Sequence, residues 1–207
     1  IPVMLVADVP GVVVVPTKLP VKNMQELIAY AKANEAQLNY GSPGYGTSVH
    51  LAGELFQSMT GTTMIHAAYK GASPAITDLL GMRLQLMFPA LAAVQPHIQA
   101  GTLRALAVTS ARRSSEFPDI PAASEIVPGY EFSSWLGAFA PAGTPAPAVQ
   151  RISQALANGL RDPQIRERIL ALGYEPIGST PEEFATFFRA EMPRVAELVR
   201  ISGAKLD

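Results

Sequence analysis

Between Asn39 and His50 the chain reads Asn-Tyr-Gly-Ser-Pro-Gly-Tyr-Gly-Thr-Ser-Val-His, and these residue types in this order suit the binding of an anion. Three glycines within six residues, Gly41, Gly44 and Gly46, allow backbone N–H groups to turn toward one point. Thr47 or Ser48 then stands where a hydroxyl can cap a helix over 49–59. A helix start gathers unpaired donors and a partial positive charge, so a carboxylate or phosphate can be held there without a cationic side chain. The other reading of the same residues is a tight strand-to-helix turn that binds nothing.

The remaining chemistry-bearing residues are more dispersed. The glycine pattern is Gly-x-x-Gly-x-Gly, which is neither the dinucleotide fingerprint nor a P-loop, and His66 rather than an acid lies about 20 residues on. His50, His66 and His97 lie on separate predicted elements without metal-ligand spacing, which gives each a structural role. His50, one turn into the helix, is placed to brace the loop. Ser42 is followed by Pro43 rather than set in a Gly-x-Ser-x-Gly elbow, and no His–acid pair accompanies it. Asp78, Asp119, Glu125 and Glu131 read as solvated carboxylates rather than as an acid–base pair. Lys70, between Tyr69 and Gly71, stands at a strand tip, either to meet an anionic ligand or as an ordinary surface lysine. No metal and no cofactor is called for.

The elements that must position these residues follow from the pattern. The 207 residues are 48% hydrophobic and 16% charged, enough apolar material for a packed core. A net charge of −1 with no basic block gives no nucleic-acid footprint. Cysteine is absent, so disulfides, thiolate metal sites and cysteine nucleophiles are excluded. No apolar run is long enough to span a bilayer, and residues 1–8 lack the basic start of a signal peptide. Strands are expected at 3–9, 11–15, 38–40, 64–69, 84–88 and 103–109. Helices are expected from Asn23, which Glu26 assists in a capping box, and over 49–59, 73–80 and 91–99. In the 49–59 helix Leu51, Ala52, Leu55 and Met59 form the predicted buried stripe.

Strands and helices alternating at this spacing imply an α/β fold with a doubly wound, mostly parallel sheet. Its ligand edge would gather the tips 41–48, 69–73, 88–91 and 109–110. From 111 to 130 the alternation stops among Pro118, Pro121 and Pro128, an expected domain boundary. Beyond it a strand over 132–141, helices over 145–160 and 163–172, a short strand at 174–177 and an amphipathic helix from Pro181, kinked at Pro193, complete the chain.

Specific residues resemble a known family. They are Asn39-Tyr40-Gly41-Ser42 with Gly44 and Gly46, then Ser48-x-His50-Leu51-Ala52-Gly53-Glu54-Leu55-Phe56, Met59-Thr60-Gly61 and Tyr69-Lys70-Gly71. The likeness continues through Pro96-His97-Ile98 to Thr109, Pro118-Asp119-Ile120-Pro121, Pro128-Gly129-Tyr130-Glu131 and Ala140-Pro141-Ala142-Gly143-Thr144-Pro145. Together they resemble the Bug family, the extracytoplasmic solute receptors of tripartite tricarboxylate transporters, over essentially the whole chain.

The resemblance implies a non-enzymatic, periplasmic receptor of the type II periplasmic-binding-protein fold, a Venus flytrap of two α/β lobes closing on a small carboxylate. Its implied partners are that carboxylate and the membrane subunits of the transporter, with no nucleic acid. Ser42, Gly44, Gly46, Thr47 and Ser48 would form the second lobe's binding loop, with Tyr69, Lys70 and Gly71 at the neighbouring tip. Ser134 and Trp135 match a first-lobe segment near the cleft. Family members commonly carry Phe-Asp-Asn-Leu where this chain has Phe88-Pro89-Ala90-Leu91, which points away from amino-group ligands and toward plain carboxylates.

The expected division is a complete second lobe over 10–109, with 1–9 and 110–207 as a partial first lobe. Family precursors have a signal peptide and opening first-lobe strands ahead of the position matching Ile1. The expected consequence is an exposed first-lobe surface open to self-association into a homo-oligomer. Two other functions fit an α/β chain with an anion loop: an enzyme acting on a small anionic substrate, and a ligand sensor for a signalling partner.

Overall fold

The computed structural model describes residues 1–114 and 117–204. The chain separates into two compact units, one of Pro10–Ser133 with the residues from Leu198 on, the other of Ile1–Val9 with Ser134–Glu197.

The larger unit begins with β2 (Val12–Pro16), whose four consecutive valines are fully buried, as expected of β-branched residues in a strand covered on both faces. There follow α1 (Met24–Ala33), β3 (Asn39–Ser42), α2 (Ser48–Thr60), β4 (Ile65–Ala68), α3 (Ala72–Leu80), β5 (Leu86–Met87), α4 (Leu91–Gln99) and β6 (Leu103–Val108). The sheet order is β4-β3-β5-β2-β6. β3 runs parallel to β4 and β5, while β2 is antiparallel to both β5 and β6. Four strands therefore point one way and β2 alone is reversed. Neither sheet neighbour of β2 is joined to it by a βαβ crossover, so no right-handed connection fixes its direction.

Ala75 and Leu79 of α3, Leu91 and Val94 of α4, and Leu84, Met87 and Leu103 form one core cluster with Val12 and Val14. On α2 the buried face is Val49, His50, Leu51, Ala52, Gly53 and Phe56. This corrects the predicted stripe, because Leu55 is half-buried and Met59 exposed. The helix presents Gly53 to the sheet, and a Cβ there would overlap the ring of fully buried Tyr40.

The described residues of 110–132 contain little regular structure beyond a 3₁₀ turn at Ala123–Glu125, and they group with the larger unit. Val108 donates to the Pro121 carbonyl (2.9 Å), Phe132 to the Thr109 carbonyl (2.8 Å), and the buried Tyr130 hydroxyl to the Ala52 carbonyl (3.0 Å). These backbone and hydroxyl contacts dock a proline-rich stretch that has no ladder of its own.

The smaller unit is built on a sheet of order β7-β1-β8, from β1 (Pro2–Pro10), β7 (Ser133–Phe139) and β8 (Glu175–Pro176). Its helices are α5 (Ala146–Arg161), α6 (Pro163–Ala171) and α7 (Pro181–Ser202) as far as Glu197, the last turn of α7 grouping with the larger unit. Asp162 caps α6, Thr180 and Glu183 form a capping box at the start of α7, and α7 continues through Pro193. No helix among the described residues is long and apolar enough to cross a membrane.

Candidate functional site

Because β3, β4, β5 and β6 share one direction, their carboxyl ends lie at one edge of the larger sheet. The Ser42–Ser48 turn sits at that edge. Ser42, the last residue of β3, is fully buried, and its Oγ accepts from the Gly44 N–H (3.1 Å) and lies 2.9 Å from the Gly44 carbonyl and 2.6 Å from His66 Nε2. Gly44 and Gly46 take φ of 147° and 71°, conformations a side chain would strain. Thr47 caps α2: its Oγ1 donates to the Gly44 carbonyl (2.7 Å) and accepts from the His50 N–H (3.4 Å). The Gly46 N–H donates to His50 Nδ1 (3.1 Å).

The amides of Gly44, Gly46 and His50 are thus satisfied inside the loop. Of the backbone amides over residues 44–50, those of Tyr45, Thr47, Ser48 and Val49 have no partner among the described residues. Ser48 and Val49 belong to the first turn of a thirteen-residue helix and Thr47 is its cap, where unpaired N–H groups and the helix dipole reinforce one another. Ser48 is the first residue of α2, and Tyr45 is 65% exposed. The arrangement can hold a carboxylate or a similar small anion through backbone donors alone.

Directly behind the loop lies a layer of aromatic rings that sequence reasoning missed. His50 and His66 stack at 4.0 Å between centroids and 23° between planes. Tyr40 stacks on His66 at 4.9 Å, Tyr45 stands edge-on to both imidazoles, and Phe88 stands edge-on to Tyr40. The Tyr40 hydroxyl donates to Glu54, which also accepts from Gln57 Nε2 (3.0 Å) and lies 3.7 Å from His50 Nε2. Burial raises the Tyr40 hydroxyl, and its bond to Glu54 adds to the effect. Burial lowers His66 to about 4, with His50 beside it acting in the same direction. Burial also lowers His50, against the opposing pull of Glu54. His50 and His66 are sixteen residues apart on different elements, and only the cross-strand register that sets Tyr40 opposite His66 reveals the cluster.

The other predicted residues fall as follows. The Tyr69 N–H bonds the Ser42 carbonyl (2.9 Å), joining the two loop tips, while its hydroxyl donates to Asp78 (2.8 Å), which Arg83 also holds (2.8 Å). Lys70 is exposed in the bend after β4, and Gly71, at φ 133°, is the cap position of α3 without a side-chain cap. Ser134 and Trp135 belong to β7 of the smaller unit. The Trp135 ring stands edge-on to Phe184, Phe187 and Phe188 of α7 at 5.6–6.0 Å. Ala90 precedes α4 with no side-chain cap, and the Pro89 carbonyl accepts from Val12 (2.9 Å). No group of three or more metal-ligating side chains occurs among the described residues.

Comparison with known proteins bears on the family and the fold. Residues 1–203 match the profile of the tripartite tricarboxylate transporter family receptor, TctC. Protein BugT of Bordetella pertussis is 36% identical over 207 residues, which is 100% of this chain and 64% of that protein. The chain thus spans less than two thirds of the length of such relatives. Among solved structures, R. palustris Rpa4515 with adipate superposes with a TM-score of 0.87 at 35% identity, covering 98% of this chain and 68% of that one. The periplasmic binding protein BugD superposes at 0.83 and 34% identity, covering 99% and 69%. Both place the α/β architecture among periplasmic-binding-protein folds, and the full-length profile match settles the lineage: the chain belongs to the TctC family of tripartite tricarboxylate transporter receptors.

Proposed function

We propose that this protein is a periplasmic solute-binding receptor that captures a small carboxylate at the start of α2 on behalf of a tripartite tricarboxylate-type transporter. The observation that carries this reading is the set of four backbone amides, Tyr45, Thr47, Ser48 and Val49, left free at one helix start while the neighbouring glycine amides are engaged internally. Ser42, Gly44, Gly46 and Thr47 shape the cradle, and Tyr69, Lys70 and Gly71 flank it. Ser134 and Trp135, in β7 of the smaller unit, are proposed ligand-binding residues of that unit. The adipate held by Rpa4515, a relative at 35% identity, supports a carboxylate as the solute. The tips 42–48, 69–73, 88–91 and 109–110 contain no Asp or Glu to pair with an ammonium group, which favours carboxylates without an amine.

A catalytic reading would draw on Ser42 and His66, 2.6 Å apart. Ser42 is fully buried and His66 Nδ1 has no orienting partner, whereas a working nucleophile–base pair needs an accessible oxygen and a third group that holds the base. Thermal-shift titration with a panel of short mono- and dicarboxylates and their amino-acid counterparts tests the assignment. Adipate at a hundredfold excess over its Kd is expected to raise the melting temperature by several degrees, the size set by mass action at about 2.7 kcal/mol. Stabilisation by glutamate with none by adipate would overturn the solute class, and stabilisation by no member of the panel would overturn the receptor reading.

A further inference from the structure

The hydrogen bonds of the loop fix where the imidazole protons reside. His50 Nδ1 accepts from the Gly46 N–H, so it carries no proton of its own and the neutral ring must be the Nε2–H form, facing Glu54. His66 Nε2 lies 2.6 Å from Ser42 Oγ, while its Nδ1 is buried without a partner. An Nδ1–H form would bury an unmet donor, which is costlier and rarer than an unmet acceptor. The Nε2–H form donates to Ser42 Oγ and frees the serine proton for the Gly44 carbonyl at 2.9 Å. With these two tautomers each of these loop contacts of Ser42, Gly44 and Gly46 has one donor and one acceptor.

We propose that His50 and His66 are positioning residues of the carboxylate cradle that work only as neutral Nε2–H imidazoles, so that solute capture fails when the stacked pair takes up a proton. A proton on His50 Nδ1 would face the Gly46 N–H and release the loop. A proton on His66 Nδ1 would find no acceptor and would lie against an imidazole whose centroid is 4.0 Å away. The titratable groups facing the pair are Glu54 from α2, Tyr40 from β3 and Tyr45 from the loop, with each histidine facing the other from α2 and β4. Of these only Glu54 favours a proton on the pair, and its carboxylate is already engaged by Tyr40 and Gln57. Burial holds His66 down to about 4 and lowers His50 as well, in keeping with a pair that stays neutral near pH 7.

The proposal rests on the receptor reading and makes a prediction opposite to that of a simple charge effect. Imidazolium groups acting as plain positive charges would bind an anion more tightly in acid, whereas positioning imidazoles lose it. The test compares adipate binding by calorimetry from pH 7 to pH 5 in the full-length protein and in two variants. His50→Leu removes the acceptor and is expected to weaken binding about tenfold at pH 7. His50→Asn keeps an acceptor oxygen near the Nδ1 position and is expected to stay within about threefold of the parent, with a flatter pH profile. This variant also corrects for protonation of adipate itself. Unchanged affinity in His50→Leu, or parent affinity that rises in acid relative to His50→Asn, would overturn the proposal. Long-range ¹⁵N–¹H spectra of the imidazoles without solute give an independent reading. Two Nε2–H rings at pH 7, with a Gly46 amide shift that follows His50 titration, support it, and an Nδ1–H or charged ring at pH 7 overturns it. If no carboxylate binds at any pH, the receptor reading fails and the ring spectra still decide whether the pair holds the loop.

Discussion

Gly53 shows how much of the site depends on one absent methyl group. A Cβ there would overlap three atoms of the Tyr40 ring. Tyr40 cannot yield: it is fully buried, stacked on His66, met edge-on by Phe88 and tied by its hydroxyl to Glu54. Gly53→Ala is therefore expected to destabilise the protein by about 1–3 kcal/mol, as overpacking of a filled core does, read as a lower urea midpoint at unchanged slope. In the sequence Gly53 is only one helix glycine among the family-like residues, and nothing local marks it as the contact of a tyrosine thirteen residues away. The histidines were equally hidden. His50 was legible as a brace for the loop, since it lies one turn into the capped helix. Its stacking on His66 depends on strand register, which no single stretch of residues encodes. Ser42 and Gly44 were legible as turn residues, but the internal use of the Gly44 and Gly46 amides was not, because it turns on individual hydrogen bonds.

Among the elements, the helices were the most legible, since caps and 3.6-residue periodicity are local. Asn23 Oδ1 accepts from the Glu26 N–H (2.8 Å) and Glu26 reaches back to the Lys22 N–H (2.7 Å), close to the expected capping box. Thr47 caps α2 in the same manner but also holds the Gly44 carbonyl. The two caps make a matched pair of predictions. Asn23→Ala and Thr47→Ala should each cost about 1 kcal/mol in chemical denaturation. Only Thr47→Ala should also weaken the proposed carboxylate binding, measured by calorimetry on both variants, because only its hydroxyl holds the Gly44 carbonyl of the loop. Strand direction was less legible than strand existence. The valine run of β2 announces a buried strand, but hydrophobicity carries no sign of direction, and its reversal follows from pairing with β5 and β6. The buried face of α2 was misplaced toward Leu55 and Met59 because hydropathy favours large residues, whereas the sheet accepts the small face of Ala52 and Gly53.

For the whole molecule, the order of strands and helices in the larger unit was readable from composition and periodicity, and the common direction of four strands gathers the loop tips at one edge. The proline-rich stretch over 111–130 looked like a boundary because it lacks periodicity. It belongs to the larger unit through tertiary contacts such as Tyr130 to Ala52, which sequence patterns do not display. Family membership was legible because the resemblance runs through turns and caps along the chain, and the profile match over residues 1–203 agrees with it. We propose that backbone amides at the start of α2 hold the carboxylate. A ¹H–¹⁵N titration with adipate tests it most directly. The amides of Tyr45, Thr47, Ser48 and Val49 are expected to shift together and saturate along one binding curve, with smaller changes at Gly44 and Gly46. Saturable binding of adipate that leaves those four amides unmoved would contradict it.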